Sequence, residues 1–157
     1  MLIGARRGVA IFQEYVDNPK AMAEAFDARG YFHTGDRVVL SEDGWITFAD
    51  RVKDMIKVGG EGVSASEVEA ALMGAGGVRE AAVVGRADKT YGEVAVAYVV
   101  LAGAGEGEAA EIARLLEHCR ANLAKFKVPR EIVAVAELPK IGNNKINRPA
   151  LREMAKG

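Results

Sequence analysis

Three short stretches carry residue types that could do chemistry together. In Thr34-Gly35-Asp36 a carboxylate follows a glycine directly. Such a carboxylate caps the N–H groups of a turn. Held in a fixed place, it could instead accept two hydrogen bonds from a ribose diol, as the acidic residue of dinucleotide sites does. Residues 50–60 crowd Asp50, Arg51, Lys53, Asp54 and Lys57 ahead of the pair Gly59-Gly60. One reading is a charge-guarded edge strand ending in a turn. The other is a hinge followed by a ligand-facing loop, because paired glycines let a backbone approach a ligand and absorb large torsion changes. In residues 138–148, Gly142-Asn143-Asn144 forms a turn that projects Lys145 from a loop tip. Most exposed lysines only solvate a surface. A lysine delivered by a loop could also neutralise charge developing on a carboxylate or an α-phosphate during attack.

Other reactive side chains fit packing better. His33 and His118 lie far apart and lack metal-ligand spacing. Cys119 falls on the apolar stripe of a helix, the place of a packing thiol rather than a nucleophile. Trp45 is expected to anchor a hairpin. Neither a phosphate-binding glycine loop with Lys-Ser/Thr nor a nucleophile elbow is present. The 157 residues carry a net charge of -1, which argues against nucleic-acid binding, and the clusters Lys125/Lys127/Arg130 and Lys140/Lys145/Arg148 read as solvated faces. No apolar run is long enough to span a membrane, and the start does not read as a secretory signal. The lone cysteine fits a reducing compartment, so a cytoplasmic protein is expected.

The elements that must position these residues follow from patterning. Residues 9–15 read as a strand or edge segment, and Asn18-Pro19 opens a helix closed by Gly30. Residues 37–40 and 45–49 form a hairpin around Ser41-Glu42-Asp43-Gly44. This is too little to bury a core of its own and looks like the end of something larger. Residues 52–58 form a short charged strand. Ser64 and Glu67 make a capping box for a helix over 65–74, with Val68, Ala71 and Leu72 inward. Strands follow at 78–85 and 93–101, the second apolar enough for a central position. A connector at 103–107 leads to a helix over 108–124, striped by Ile112, Leu115, Leu116, Cys119 and Leu123. A strand at 131–135 and a last short helix from Pro149 complete the order β-α-β-β-α-β. The fold class expected is α+β, a small mixed sheet with packed helices.

Taken in order, the segments resemble the adenylate-forming superfamily of acyl- and aryl-CoA synthetases, peptide-synthetase adenylation domains and beetle luciferases. Residues 18–36 are similar to the stretch leading to the ribose-binding Asp of that family. Residues 48–60, with 63–69, resemble its hinge and glycine loop. Residues 87–93 and 125–130 match further family patterns, and 138–148 resembles the motif bearing its catalytic lysine. The resemblance covers only about the last third of such an enzyme, without its phosphate loop, its aromatic-Gly-x-Thr-Glu segment or its acyl pocket. It implies that residues 1–50 end the large adenylation domain and that 51–157 form the small, mobile lid. It also implies two steps: a carboxylate attacks Mg-ATP to give an acyl-adenylate, and CoA thiol then attacks the adenylate.

In that chemistry Lys145 would stabilise the first transition state, and Asp36 and Arg51 would hold the ribose. Lys53 would sit at the hinge, and Lys57 is linked with the thiol step in some relatives. Gly59 and Gly60 would face the CoA channel, with Tyr91 and Phe126 packing on the CoA nucleotide. ATP and CoA would be substrates of the full enzyme, with Mg arriving in the absent domain. The partner implied is that N-terminal domain, and the isolated chain is expected to be inactive. One departure is Asn144, where many relatives carry Gly before the lysine; it disfavours a peptide-synthetase origin. Two other readings stay open: an adenylation fragment serving a carrier protein, and a stand-alone binding or regulatory module. Residues 1–50, deprived of usual partners, are expected to pair with a second copy as a homodimer.

Overall fold

The structure, a computed structural model, describes residues 2–6, 12, 14–103 and 107–156. The chain forms two compact units, Met1–Lys53 and Asp54–Gly157.

In the first unit, β1 (Leu2–Arg6), β2 (Tyr31–Leu40) and β3 (Ile46–Arg51) form an antiparallel sheet in that order. Helix α1 (Pro19–Ala25) starts as the sequence implies: Asn18 Oδ1 accepts from Ala21 N at 3.0 Å and Pro19 occupies the first turn. It ends earlier than Gly30. Phe26 is already extended and bridges to Phe32. Asp27 then takes over the turn, its Oδ1 accepting from Arg29 N and Tyr31 N at 2.9 Å each. The Tyr31 amide bond holds this carboxyl below its usual range, outweighing desolvation and helped by Arg29. Of the strand expected over 9–15, Phe12, Glu14 and Tyr15 lie in no strand, and the other positions fall outside the described residues. The β2–β3 turn is closed by Ser41, whose Oγ accepts from Trp45 N at 3.1 Å, and by Gly44 at φ +87. Trp45 itself is 73% exposed, so the hairpin is fixed by its turn bonds and not by the indole.

The second unit holds a five-stranded sheet built from β4 (Met55–Val58), β5 (Glu61–Ser64), β6 (Val78–Asp88), β7 (Gly92–Leu101) and β8 (Glu131–Ala134). One edge of β7 pairs along its length with β6. The other edge is shared: β4 meets it at Val58↔Gly92, and β8 runs parallel to it from Val96 to Val99. Helix α2 (Ala65–Gly74) covers the span expected, with Ser64 Oγ accepting from Glu67 N at 3.3 Å. The carboxylate of Glu67 holds Lys127 Nζ at 2.6 and 2.8 Å, tying α2 to a 3-10 turn at Lys125–Lys127. Helix α3 (Glu108–Asn122) follows a connector of which 104–106 lie outside the described residues. A two-stranded hairpin, β9 (Lys140–Ile141) and β10 (Lys145–Ile146), leads into α4 (Arg148–Met154).

The core explains the apolar run in β7. Alternate residues point to opposite faces of a strand, and here both faces are covered. Ala95, Ala97 and Val99 pack with Val68, Leu72, Leu115 and Cys119 beneath α2 and α3. Val96, Tyr98 and Val100 pack with Leu138 and Leu151 beneath α4. The inward positions of α2 and α3 are those the helical spacing marks, with Val68, Leu72, Leu115 and Cys119 fully buried. Burial also pushes the Cys119 thiol up, which keeps it protonated and inert. The result is an α+β architecture, with strands β5 and β1 and the β9–β10 hairpin added to the elements read from sequence.

Candidate functional site

The first unit brings Asp36 and Arg51 together. They are register partners across β2 and β3, and Arg51 Nε lies 3.2 Å from Asp36 Oδ1. A register shift between Arg37 and Val38 sets this pairing. Thr34 Oγ1 accepts from Asp36 N at 3.1 Å, and Gly35 at φ +74 shapes the approach. Among the described residues Asp36 Oδ1 is the buried side-chain oxygen that accepts no hydrogen bond. Arg51 Nε is close enough for charge attraction, but its N–H is not aligned for a bond. A buried carboxylate oxygen with open lone pairs is suited to accept from hydroxyl donors. Lys53 stands exposed in the 3-10 turn Val52–Asp54 that ends this unit.

The second unit brings Gly59, Tyr91 and Phe126 together. All three line one cleft of about 540 Å³, whose wall includes Val58, Val94 and Val128 and whose charged members are Glu61, Lys125 and Arg130. Each is placed by a local device. Gly59 (φ +59) and Gly60 (φ +91) make the β4–β5 turn in a region open to glycine. Gly59 N donates to Tyr91 O at 2.8 Å, and a Cβ on Gly59 would stand 3.5 Å from the Tyr91 ring. Asp88 shapes the turn bearing Tyr91: its Oδ1 accepts from Thr90 N at 2.8 Å and Tyr91 N at 2.9 Å. These bonds, Tyr91's first, lower the Asp88 carboxyl below its usual range. Phe126 rides on the 3-10 turn with Lys127 Nζ 5.9 Å from its ring centroid. Gly60 adjoins the cleft in sequence without lining it. Lys57 points the other way, exposed between buried Ile56 and Val58 on β4.

Lys145 is exposed on β10 opposite Ile141. The turn before it uses Gly142 at φ +45 and Asn144 at φ +61. This explains the departure from Gly in the sequence: the position needs left-handed backbone, and Asn is among the few other residues that adopt it readily. Behind the hairpin lies a polar anchor that sequence reasoning missed. Asn147 N donates to Pro139 O at 2.7 Å, and Asn147 Oδ1 caps α4 through Ala150 N at 3.2 Å. Arg148 donates to Glu69 at 2.8 and 3.2 Å and to Val83 O at 2.8 Å. Arg152 Nη2 donates to the buried carboxylate of Asp54 at 2.9 Å. Lys140 Nζ pairs with Glu80 at 2.9 Å. One signal was available. Glu69 falls at helical spacing on the stripe of Ala65, Val68 and Leu72, and a charge there requires a partner.

Among the described residues no cluster of three His, Cys, Asp or Glu side chains could hold a metal, and no helix is long and apolar enough to cross a membrane.

The chain is 41% identical over 150 residues to the peroxisomal butyrate–CoA ligase of Arabidopsis thaliana, covering 96% of this chain and 26% of that protein. It is 38% identical over 143 residues to a long-chain-fatty-acid–CoA ligase of Mycobacterium tuberculosis, covering 91% and 27%. The crystal structure of ATP-bound MatB from Rhodopseudomonas palustris superimposes with a TM-score of 0.89 at 30% identity, covering 99% of this chain and 30% of that one. The chain thus spans about a quarter of the length of the curated relatives it matches. The family profile described as "AMP-binding enzyme C-terminal domain" matches residues 67–145, from the helix that carries Glu69 to the lysine of the exposed hairpin. The chain belongs to the AMP-binding enzyme C-terminal domain family.

Proposed function

We propose that the chain is the C-terminal part of an ATP-dependent acid–CoA ligase, with residues 1–50 completing the large adenylation domain and 51–157 forming its mobile lid. The reaction has two steps. A substrate carboxylate attacks the α-phosphate of ATP, giving acyl-adenylate and pyrophosphate. The thiol of CoA then attacks the acyl carbon, giving acyl-CoA and AMP. Lys145 neutralises charge building on the carboxylate and α-phosphate in the first step. Asp36 accepts from the ribose hydroxyls, with the Arg51 guanidinium beside it. Lys53 is the hinge between the two poses. In the second pose Lys57 and the Gly59–Gly60 turn face the reacting thioester, and Tyr91 and Phe126 pack on the nucleotide of CoA. Mg enters with ATP in the remainder of the protein, so no step here is assigned to it.

The observation that carries this reading is the meeting of Gly59, Tyr91 and Phe126 at one cleft with Lys125 and Arg130 in its wall. Aromatic faces beside cations suit a nucleotide that bears phosphates. The CoA-ligase names of the relatives support the same substrates. The test is kinetic. In the full-length protein that carries this chain, Tyr91→Ala with Phe126→Ala raises KM for CoA roughly tenfold, the loss of one stacked base, and leaves adenylate formation intact. An unchanged KM for CoA contradicts the assignment.

Alone, the chain is expected to catalyse no ATP–pyrophosphate exchange, because adenylation needs the remainder of the large domain. In the first unit Leu40, Ile46 and Phe48, which share one face of the β2–β3 hairpin, are all more than half exposed. We propose that the adenylation domain covers this face, and that in its absence a second copy does so. Sedimentation across a concentration series reads this, and a monomer at every concentration removes the dimer. The buried lone Cys119 supports a reducing compartment such as the cytoplasm.

A further inference from the structure

Strands β4 and β7 part early. Among the described residues their pairing is the single bridge Val58↔Gly92. Continued in register, Lys57 would stand opposite Glu93, but the backbone ladder does not extend there. The side chain of Glu93 takes its place: Lys57 N donates to Glu93 Oε2 at 2.8 Å. A charged acceptor makes this stronger than the ladder bond it replaces.

The fold makes room for that carboxylate. Gly85 on β6 sits diagonal to Glu93, whose cross-strand partner is Ala87. A Cβ at Gly85 would meet Glu93 Cδ and Oε1 at 3.4 Å and Ile56 Cγ2 at 3.3 Å. Gly85 has no left-handed torsion to explain it, so the glycine answers to the crossing of Glu93. Two bonds therefore tie residues 57–60 to residues 91–93: Glu93 holds the amide of Lys57, and Tyr91 O holds the amide of Gly59 at 2.8 Å. The two bonds flank the Val58↔Gly92 bridge, so the first helps to set where β4 ends beside the second.

We infer that Glu93 is a positioning residue for thioester formation, acting through the 57–60 backbone that it latches to the Tyr91 turn. This rests on the role proposed above for that loop in the CoA step. Glu93 touches no substrate; it sets the place of Lys57 and of the glycine turn. The carbonyl oxygen of a glutamine would accept the same bond, whereas alanine would leave the Lys57 amide without it.

Two measurements test this. In the 157-residue chain, amide hydrogen exchange reads the latch. Glu93→Ala is expected to speed exchange at Lys57 and Gly59 on the order of tenfold, the loss of one charge-assisted bond, and Glu93→Gln to preserve protection. In the full-length protein, Glu93→Ala is expected to slow thioester formation by a similar factor, spare adenylate formation, and be rescued by Glu93→Gln. Unaltered exchange in Glu93→Ala removes the latch. Faster exchange with unaltered thioester formation, or an equal loss in both half-reactions, removes the positioning role. Gly60→Val, which strains the turn at φ +91, separates this inference from its foundation. If Gly60→Val blocks thioester formation and Glu93→Ala does not, the inference on Glu93 alone fails. If both variants spare it, the loop has no part in that step and the functional reading fails as well.

Discussion

Arg148, just beyond Lys145, grips Glu69 through two hydrogen bonds of 2.8 and 3.2 Å, and Glu69 Oε1 also accepts from Val83 N at 2.8 Å. The exposed lysine is therefore mounted on a largely buried ion pair that joins α4 to α2 and β6. Burial raises the penalty for breaking it, because the partner left behind keeps its charge in a poor solvent.

Glu69→Ala is expected to destabilise the second unit by about 3 kcal/mol, the usual scale for removing one member of a buried pair. Denaturant unfolding measures this. Glu69→Leu with Arg148→Met is expected to lose less than the two single changes added together, since neither charge of the pair is stranded and Asp54, 3.6 Å from Arg148 Nε, keeps Arg152. Strict additivity would mean that the pair is not coupled.

Asn144, at φ +61, gives a second prediction. Asn144→Gly is expected to leave the melting temperature and adenylation rate close to the parent values. Asn144→Val places a β-branched residue in left-handed backbone, at a cost of about 1–2 kcal/mol to the hairpin. Adenylation in the full-length protein is expected to fall with it, because Lys145 is the next residue. Equal rates for the Gly and Val variants would show that the turn does not govern the lysine.

The turn bearing Tyr91 makes a pH prediction. The amides of Tyr91 and Thr90 hold the Asp88 carboxyl below its ordinary value of 3.8. Its folded value is thus the lower one, so its contribution to stability is fully present above the ordinary value. That contribution is lost as pH falls through the folded value. Exchange protection of the Thr90 and Tyr91 amides is expected to weaken on acidification below about pH 4, and to be absent at all pH values in Asp88→Ala. Protection independent of pH in the parent would show that the carboxylate does not hold this turn.

Much of the second unit was legible because its signals are strong and local. The β7 run and the stripe through Leu115 and Cys119 specify burial directly, and the core uses them so, while the Ser64 cap fixes where α2 starts. What escaped was made by pairing. Strand β5 holds Glu61-Gly62-Val63-Ser64, a run with no strand preference, and it exists because β4 lies beside it. The two-residue strands β9 and β10, the second of which carries Lys145, likewise owe their form to the Gly142 and Asn144 turn. Trp45 misled because a large apolar residue suggests an anchor, whereas the Ser41 bonds already close that turn. For the site, ordered motifs gave the residues but not their company. Gly59, Tyr91 and Phe126 are distant in sequence, and only the sheet and the 3-10 turn bring them to one cleft. The roles of Glu93 and Asp54 were not legible, because their partners, a backbone amide and a distant arginine, leave no local pattern.

The most direct test of the account is a half-reaction assay of Lys145→Ala in the full-length protein that carries this chain. The account predicts that ATP–pyrophosphate exchange falls on the order of a hundredfold or more, the scale for removing one preorganised charge at a developing anion. Thioester formation from preformed acyl-adenylate and CoA should proceed at the parent rate. Exchange at the parent rate in Lys145→Ala would contradict the claim that this hairpin serves adenylation.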